Sequence, residues 1–142
     1  MKIVAGADHA GWELKDQLVA MLREQGHEVE DLGTTGAASV DYPDFAHKVA
    51  ERIAGGAAER GLLVCGTGVG MAISANRHKN VRAVNPSDVF TAKMSRNHND
   101  ANVLCLGQRV VGAGLAREIV SAWIAAPFEA GRHAGRVAKI EC

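Results

Sequence analysis

Residues 62–76 read LLVCGTGVGMAISAN. An apolar run ends in Cys65, glycines follow at Gly66, Gly68 and Gly70, and an alanine-rich helical pattern begins. A free thiol has a pKa of about 8.5, lowered beside a helix amino end or cations, and its thiolate is the reactive form. At the mouth of a glycine loop, Cys65 can attack an electrophile or take a proton from a carbon acid. The loop amides from Gly66 to Gly70, helped by the Thr67 hydroxyl, can hold the oxyanion that proton removal leaves. Such donors contribute roughly 3 kcal/mol each in known oxyanion holes. The spacing is GxGxG. Met71 stands where the dinucleotide fingerprint GxGxxG requires glycine, and the Gly-Lys-Ser/Thr ending of a nucleotide-hydrolase phosphate loop is absent. What remains is an anion receptor of bare backbone. Taken alone, Cys65 fits slightly better as a small apolar residue closing a buried strand.

Other polar clusters carry both a plain and a chemical reading. Asp8 and His9 sit between a strand and a helix, where Asp8 serves as a cap and His9 as a bystander. In NHND (97–100), Asn97 or Asn99 suits the left-handed turn at a helix end, and the dipole there favours a cationic His98. Arg132 and Arg136 lie four apart, hence on one helical face. Usually that is a solvated face, but small residues separate the two cations in GRHAGR and leave room for a phosphate of charge roughly −1.5 to −2. Asp41 to Asp44 reads as a helix start, with Tyr42, the single tyrosine, left open. Cys105 belongs to the core, and Cys142 has no assigned role.

These residues must be positioned by an alternation of short apolar runs and helical patterns. Strands are expected at 2–7, 27–33, 61–66, 81–84 and 102–107. The helix from Trp12 carries Leu14, Leu18 and Leu22 in register and stops at Gly26. Pro43 marks a second helix start. A short helix follows the glycine loop, and Ser87 is expected to cap the next one. Leu115, Ile119, Val120 and Trp123 are expected on one face of a long helix, and the tail from Phe128 is partly helical. Strand and helix alternating five times predicts an α/β fold, a five-stranded parallel sheet with helices on both faces. Ligands in such sheets bind beyond the carboxyl ends of the strands. Asp8, His9 and the Cys65 loop satisfy that rule. His98 precedes a strand and falls on the opposite rim, so it serves no site or one completed by a second copy.

The 142 residues fit one domain, residues 1–142, with 47% hydrophobic and 23% charged side chains and a formal net charge of zero. A neutral chain with six aromatic side chains in all (one Tyr, three Phe, two Trp) lacks the basic face of a nucleic-acid binder. No run approaches the roughly 18 apolar residues of a membrane span. The start MKIVAGADHAG reaches Asp8 too soon for a secretory leader. Three cysteines without CxxC spacing argue against a disulfide framework or a zinc site and for a reducing cytoplasm.

DHAG, VDYPDFA, CGTGVGM, NHNDANVLCLG and GRHAGRV occur in that order over nearly the whole chain. Together they resemble the sugar-phosphate isomerase family that includes ribose-5-phosphate isomerase B and the galactose-6-phosphate isomerase subunits. The resemblance implies a Rossmann-like three-layer sandwich, no metal and no cofactor, and a homodimer or tetramer with sites between subunits. It implies aldose–ketose isomerisation through an enediolate, with Cys65 as the base between C1 and C2. Val69 stands in a loop where relatives lacking the cysteine carry a glutamate. Gly66, Thr67, Gly68, Val69 and Gly70 match the loop that holds the anionic oxygens, and His98 matches the proton donor that opens the furanose ring. Asp8 and His9 match hydroxyl contacts. Asn99, Arg109, Arg132 and Arg136 match further ligand contacts, with the arginines on phosphate. Asn85-Pro86-Ser87-Asp88 departs from the family pattern and bears on substrate length.

The resemblance favours ribose 5-phosphate and ribulose 5-phosphate as the substrate pair. A four- or six-carbon aldose phosphate, such as allose or galactose 6-phosphate, is the alternative within the same chemistry. A nucleotide- or phosphate-binding regulatory module is the non-enzyme alternative, with Asp88 near where a ribose-binding acid would fall. A metal hydrolase ranks last, since six histidines occur without HExxH or comparable spacing.

Overall fold

A computed structural model covers residues 1–142. The elements in order are β1 (Lys2–Ala7), α1 (Trp12–Glu24), β2 (Glu28–Asp31), α2 (Tyr42–Ala54), β3 (Arg60–Cys65), α3 (Val69–Ala75), β4 (Ala83–Val84), α4 (Val89–Asn99), β5 (Val103–Gly107), α5 (Ala113–Ala125) and α6 (Arg132–Ala138). The five strands form one sheet in the order β2-β1-β3-β5-β4, and every pair is parallel.

The alternation of side chains along each strand builds two cores. Ile3, Ala5, Leu62, Val64, Leu104 and Leu106 face α1 and α5, where Leu18, Leu22, Ile119 and Trp123 cover them. Val4, Leu63, Cys65, Val103 and Cys105 face α2 and α3, where Val49, Ala50, Met71 and Ala75 close the other layer. The result is the expected three-layer sandwich. Central strands buried on both faces read as continuous apolar runs, which is why β1, β3 and β5 stand out in the sequence. β2 has one fully buried residue, Val29, as its mixed sequence suggests.

Three local expectations need correction. Leu115 remains 40% exposed, because Ala116, Ile119, Val120 and Trp123 occupy the inward i, i+3, i+4 and i+7 positions. The α4 cap is Asp88 rather than Ser87, its carboxylate accepting the Thr91 N–H at 2.7 Å. The left-handed residue ending α4 is Asp100, at φ 48°. Neither asparagine takes that role. Asn97 is buried and its Nδ2 donates to the Pro127 carbonyl at 2.7 Å. No helix is long and apolar enough to cross a membrane.

Candidate active site

Strand alternation aims Cys65 at the α2–α3 face, and the carboxyl end of β3 puts it at the foot of the glycine loop. The side chain is nearly buried at 5% exposure, yet it lines a cleft of about 470 Å³. Asp8, His9, Tyr42, Gly66, Thr67, Val69, Gly70 and Arg109 line the same cleft. The Gly68 N–H donates to Cys65 Sγ at 3.1 Å. The Val69 N–H donates to Thr67 Oγ1 at 3.3 Å, which leaves the hydroxyl proton available. The N–H groups of Gly66, Thr67 and Gly70 find no acceptor within the chain. A thiol, free amides and a hydroxyl therefore meet at one opening.

The loop is held from both sides. Gly68 has φ 82°, and a Cβ there would come within 2.2 Å of Asn85 Nδ2. Asn85 Nδ2 donates to the carbonyls of Cys105 at 2.9 Å and Thr67 at 3.3 Å, tying the loop to β5. Gly70 lies against the Tyr42 ring, so closely that a Cβ would approach it to 2.6 Å. Cys105 sits beneath, its thiol held neutral by burial and by the neighbouring Cys65, which push its pKa far above the ordinary range.

Asp8 is buried, and its Oδ1 accepts the Ala10 N–H at 2.9 Å. It shapes the turn before α1 without capping the helix, whose N-cap is Gly11. His9 Nδ1 accepts the Val40 N–H at 3.2 Å, which orients the ring at the rim. Arg109 donates its backbone N–H to the Gly66 carbonyl at 3.1 Å and lays its side chain along that glycine.

A second group gathers elsewhere. His98, in the last turn of α4, lines a cleft of about 320 Å³ with Asn99, His133 and Arg136. Arg132 lies one turn before Arg136 on α6, and both are exposed. The His98 and His133 rings stack at 4.2 Å between centroids, and Glu129 approaches both. Burial, then the neighbouring His98 and Arg132, holds the His133 pKa below the ordinary histidine value. This cleft shares no lining residue with the Cys65 cleft. The chain thus brings Cys65, Thr67, Asp8, His9 and Arg109 together, and leaves His98, Asn99, Arg132 and Arg136 apart from them.

The largest cleft, about 630 Å³, lies between residues 76–84 and the last three residues. It is lined by Arg77, Lys79 and Arg82 and has no thiol at a strand tip and no glycine loop. Neither Glu129 nor Asn85 has a role assigned from its sequence pattern. Asn85 had one visible sign, its place in the segment that departs from the family pattern. Asp88 is engaged as a helix cap, which occupies the acid that a nucleotide-binding reading would use.

The ribose/galactose isomerase family profile matches residues 3–140. Ribose-5-phosphate isomerase B of Escherichia coli is 50% identical over 139 residues, covering 98% of this chain and 93% of the relative. The structure of ribose-5-phosphate isomerase B from Clostridium thermocellum superposes with a TM-score of 0.97 at 51% identity, covering 99% and 95% of the two chains. That of the Mycoplasma genitalium enzyme with bound ribulose 5-phosphate gives a TM-score of 0.94 at 40% identity, covering 98% and 93%. The cysteine loop, the sheet that carries it and these likenesses lead to one conclusion: the chain belongs to the ribose/galactose isomerase family.

Proposed function

We propose that this chain interconverts ribose 5-phosphate and ribulose 5-phosphate, and that residues 1–142 act as one catalytic domain. The observation that carries the reading is Cys65 at a strand tip, facing a cleft rimmed by free loop amides. The thiolate takes the C2 proton of the open-chain aldose. The electron pair of that C–H bond becomes the C1–C2 double bond, and the carbonyl oxygen takes the negative charge. The Gly66, Thr67 and Gly70 amides and the Thr67 hydroxyl stabilise this enediolate. The O2 hydroxyl proton passes to O1, the C1–C2 double-bond pair takes the thiol's proton at C1, and the O2 lone pair closes the C2 carbonyl of the ketose. His98 donates a proton to the ring oxygen so that the furanose opens. Arg132 and Arg136 hold the phosphate, and binding far from the reacting carbons supplies orientation.

His98 and the arginines reach this cleft from a second copy of the chain. Support for that comes from their separation from Cys65 within one chain. It also comes from the apolar side chains beside the cleft: Val69 is 50%, Ile73 63% and Tyr42 42% exposed. All three thiols are free, which suits a reducing compartment such as the cytoplasm.

Cys65→Ala is expected to lower kcat at least about 100-fold, the lower end of what a positioned base contributes. Calorimetry with the product should still detect binding. Full turnover in that variant would remove the base assignment. A panel of four-, five- and six-carbon aldose phosphates, ranked by kcat/KM, tests the carbon number, with ribose 5-phosphate expected first.

A further inference from the structure

His98 Nε2 lies 3.9 Å and His133 Nε2 3.7 Å from Glu129 Oε2, and the three ligand atoms all fall within 4.8 Å of one another. Those separations are too long for hydrogen bonds. None of the three side chains hydrogen-bonds to any other group of the chain. Three donor atoms therefore lie near one another without satisfying each other, although the two rings stack within 12° of parallel. Zinc bonds of about 2.0–2.2 Å in a tetrahedron place donor atoms about 3.3–3.6 Å apart. A contraction of a few tenths of an ångström to about 1.5 Å, with one imidazole turning out of the stack so that both lone pairs face the ion, would close the set. Glu129, with its side chain 52% exposed, and His98, at 41%, are free to make that movement.

The backbone beneath is fixed. The Glu129 N–H donates to the Asn97 carbonyl at 3.0 Å, and Asn97 Nδ2 donates back to the Pro127 carbonyl at 2.7 Å. The turn before α6 is thus clamped to the end of α4, which keeps His98 and Glu129 opposite each other. The ligands come from two elements some 30 residues apart, so no spacing motif announces them.

We propose that His98, Glu129 and His133 bind a borderline divalent transition-metal ion, of which zinc is the reference, and that the bound ion inhibits the enzyme. Two imidazole nitrogens and one carboxylate suit zinc, nickel or cobalt over magnesium or calcium. Ligands must bind deprotonated. An ion on His98 Nε2 takes the lone pair that would carry the ring-opening proton, and its charge lies beside Arg136 in the same cleft. The inhibitory half rests on the isomerase reading above, whereas the binding half does not.

The test titrates zinc chloride by calorimetry into the full chain, its Glu129→Gln variant and its His133→Ala variant. One ion per chain is expected. Each variant should lose affinity by no less than the roughly 10- to 100-fold that even outer-shell changes cost. Glu129 is largely exposed, so Glu129→Gln carries the test if His133→Ala fails to fold. Cobalt(II) should show the visible spectrum of nitrogen and oxygen ligation without a thiolate charge-transfer band. In turnover assays zinc should inhibit the unaltered chain at concentrations that track its Kd. Glu129→Gln should need about tenfold more zinc, measured against its own metal-free rate. Unchanged zinc affinity in the variants, or a thiolate-bound cobalt spectrum, overturns the site. Binding without inhibition overturns the blocking role. Absence of isomerase activity in the metal-free chain would count against the isomerase reading and leave the calorimetric result intact.

Discussion

Cys65 lies at the junction of two environments. Its stem packs in the α2–α3 core, while its sulfur faces the glycine loop and accepts the Gly68 N–H. The adjacent Cys105 shares the core but not the cleft, and burial keeps its thiol protonated. In the proposed mechanism Thr67 is the other residue that stabilises charge. Thr67→Val removes the hydroxyl at nearly constant volume. It is expected to lower kcat about 100-fold with KM changed only a few-fold, as for loss of one oxyanion donor. Steady-state kinetics on ribose 5-phosphate checks it, and an unchanged kcat would take the hydroxyl out of the mechanism. The spacing of the Cys65 loop marks an anion receptor, but taken alone it fits Cys65 slightly better as the end of a buried strand, and only the family resemblance assigns roles to Cys65 and Thr67. Glu129 was not legible, since its meaning depends on two histidines that only the folded chain brings near it.

At the scale of elements, the loop between β3 and α3 derives its shape from a neighbour in space. Asn85 follows the edge strand and spans 18 and 20 residues to reach the carbonyls of Thr67 and Cys105. Asn85→Ala leaves both carbonyls without that donor. It should lower stability by about 1–2 kcal/mol and speed hydrogen exchange at the amides of residues 66–70. Exchange measured by mass spectrometry decides this, and unchanged loop protection would contradict the bracing role. Sequence reasoning marked the segment as unusual without its purpose, because a contact across that separation leaves no periodic trace. Helix ends were misread for a related reason. Ser87 and Asp88 are both good caps, and backbone geometry chose the second. The Thr91 N–H holds the Asp88 carboxyl below its ordinary 3.8, so its contribution is present above that pH and lost as pH falls through the lowered value. Asp88→Ala should therefore lower Tm by about 3 °C at neutral pH. The deficit should narrow in acid below 3.8 when melting is followed by circular dichroism.

At the scale of the whole molecule, the candidate residues divide into a group around Cys65 and a group around His98. Strand and helix patterning made the parallel sheet and its carboxyl-end cleft readable from β1 and β3 alone, since both are continuous apolar runs followed directly by polar residues. His98, Asn99, Arg132 and Arg136 hang on α4 and α6, and within one chain His98 meets His133 and Glu129 rather than Cys65. The central claim is that Cys65 and His98 act together across two copies. It is tested by mixing Cys65→Ala with His98→Asn, each nearly inactive alone, under conditions that let subunits exchange. In a two-fold dimer half of the assemblies are then hybrids, each with one intact site of two, so activity should recover to about a quarter of the unaltered enzyme. No recovery on verified exchange would contradict the account, as would full activity of either variant before mixing.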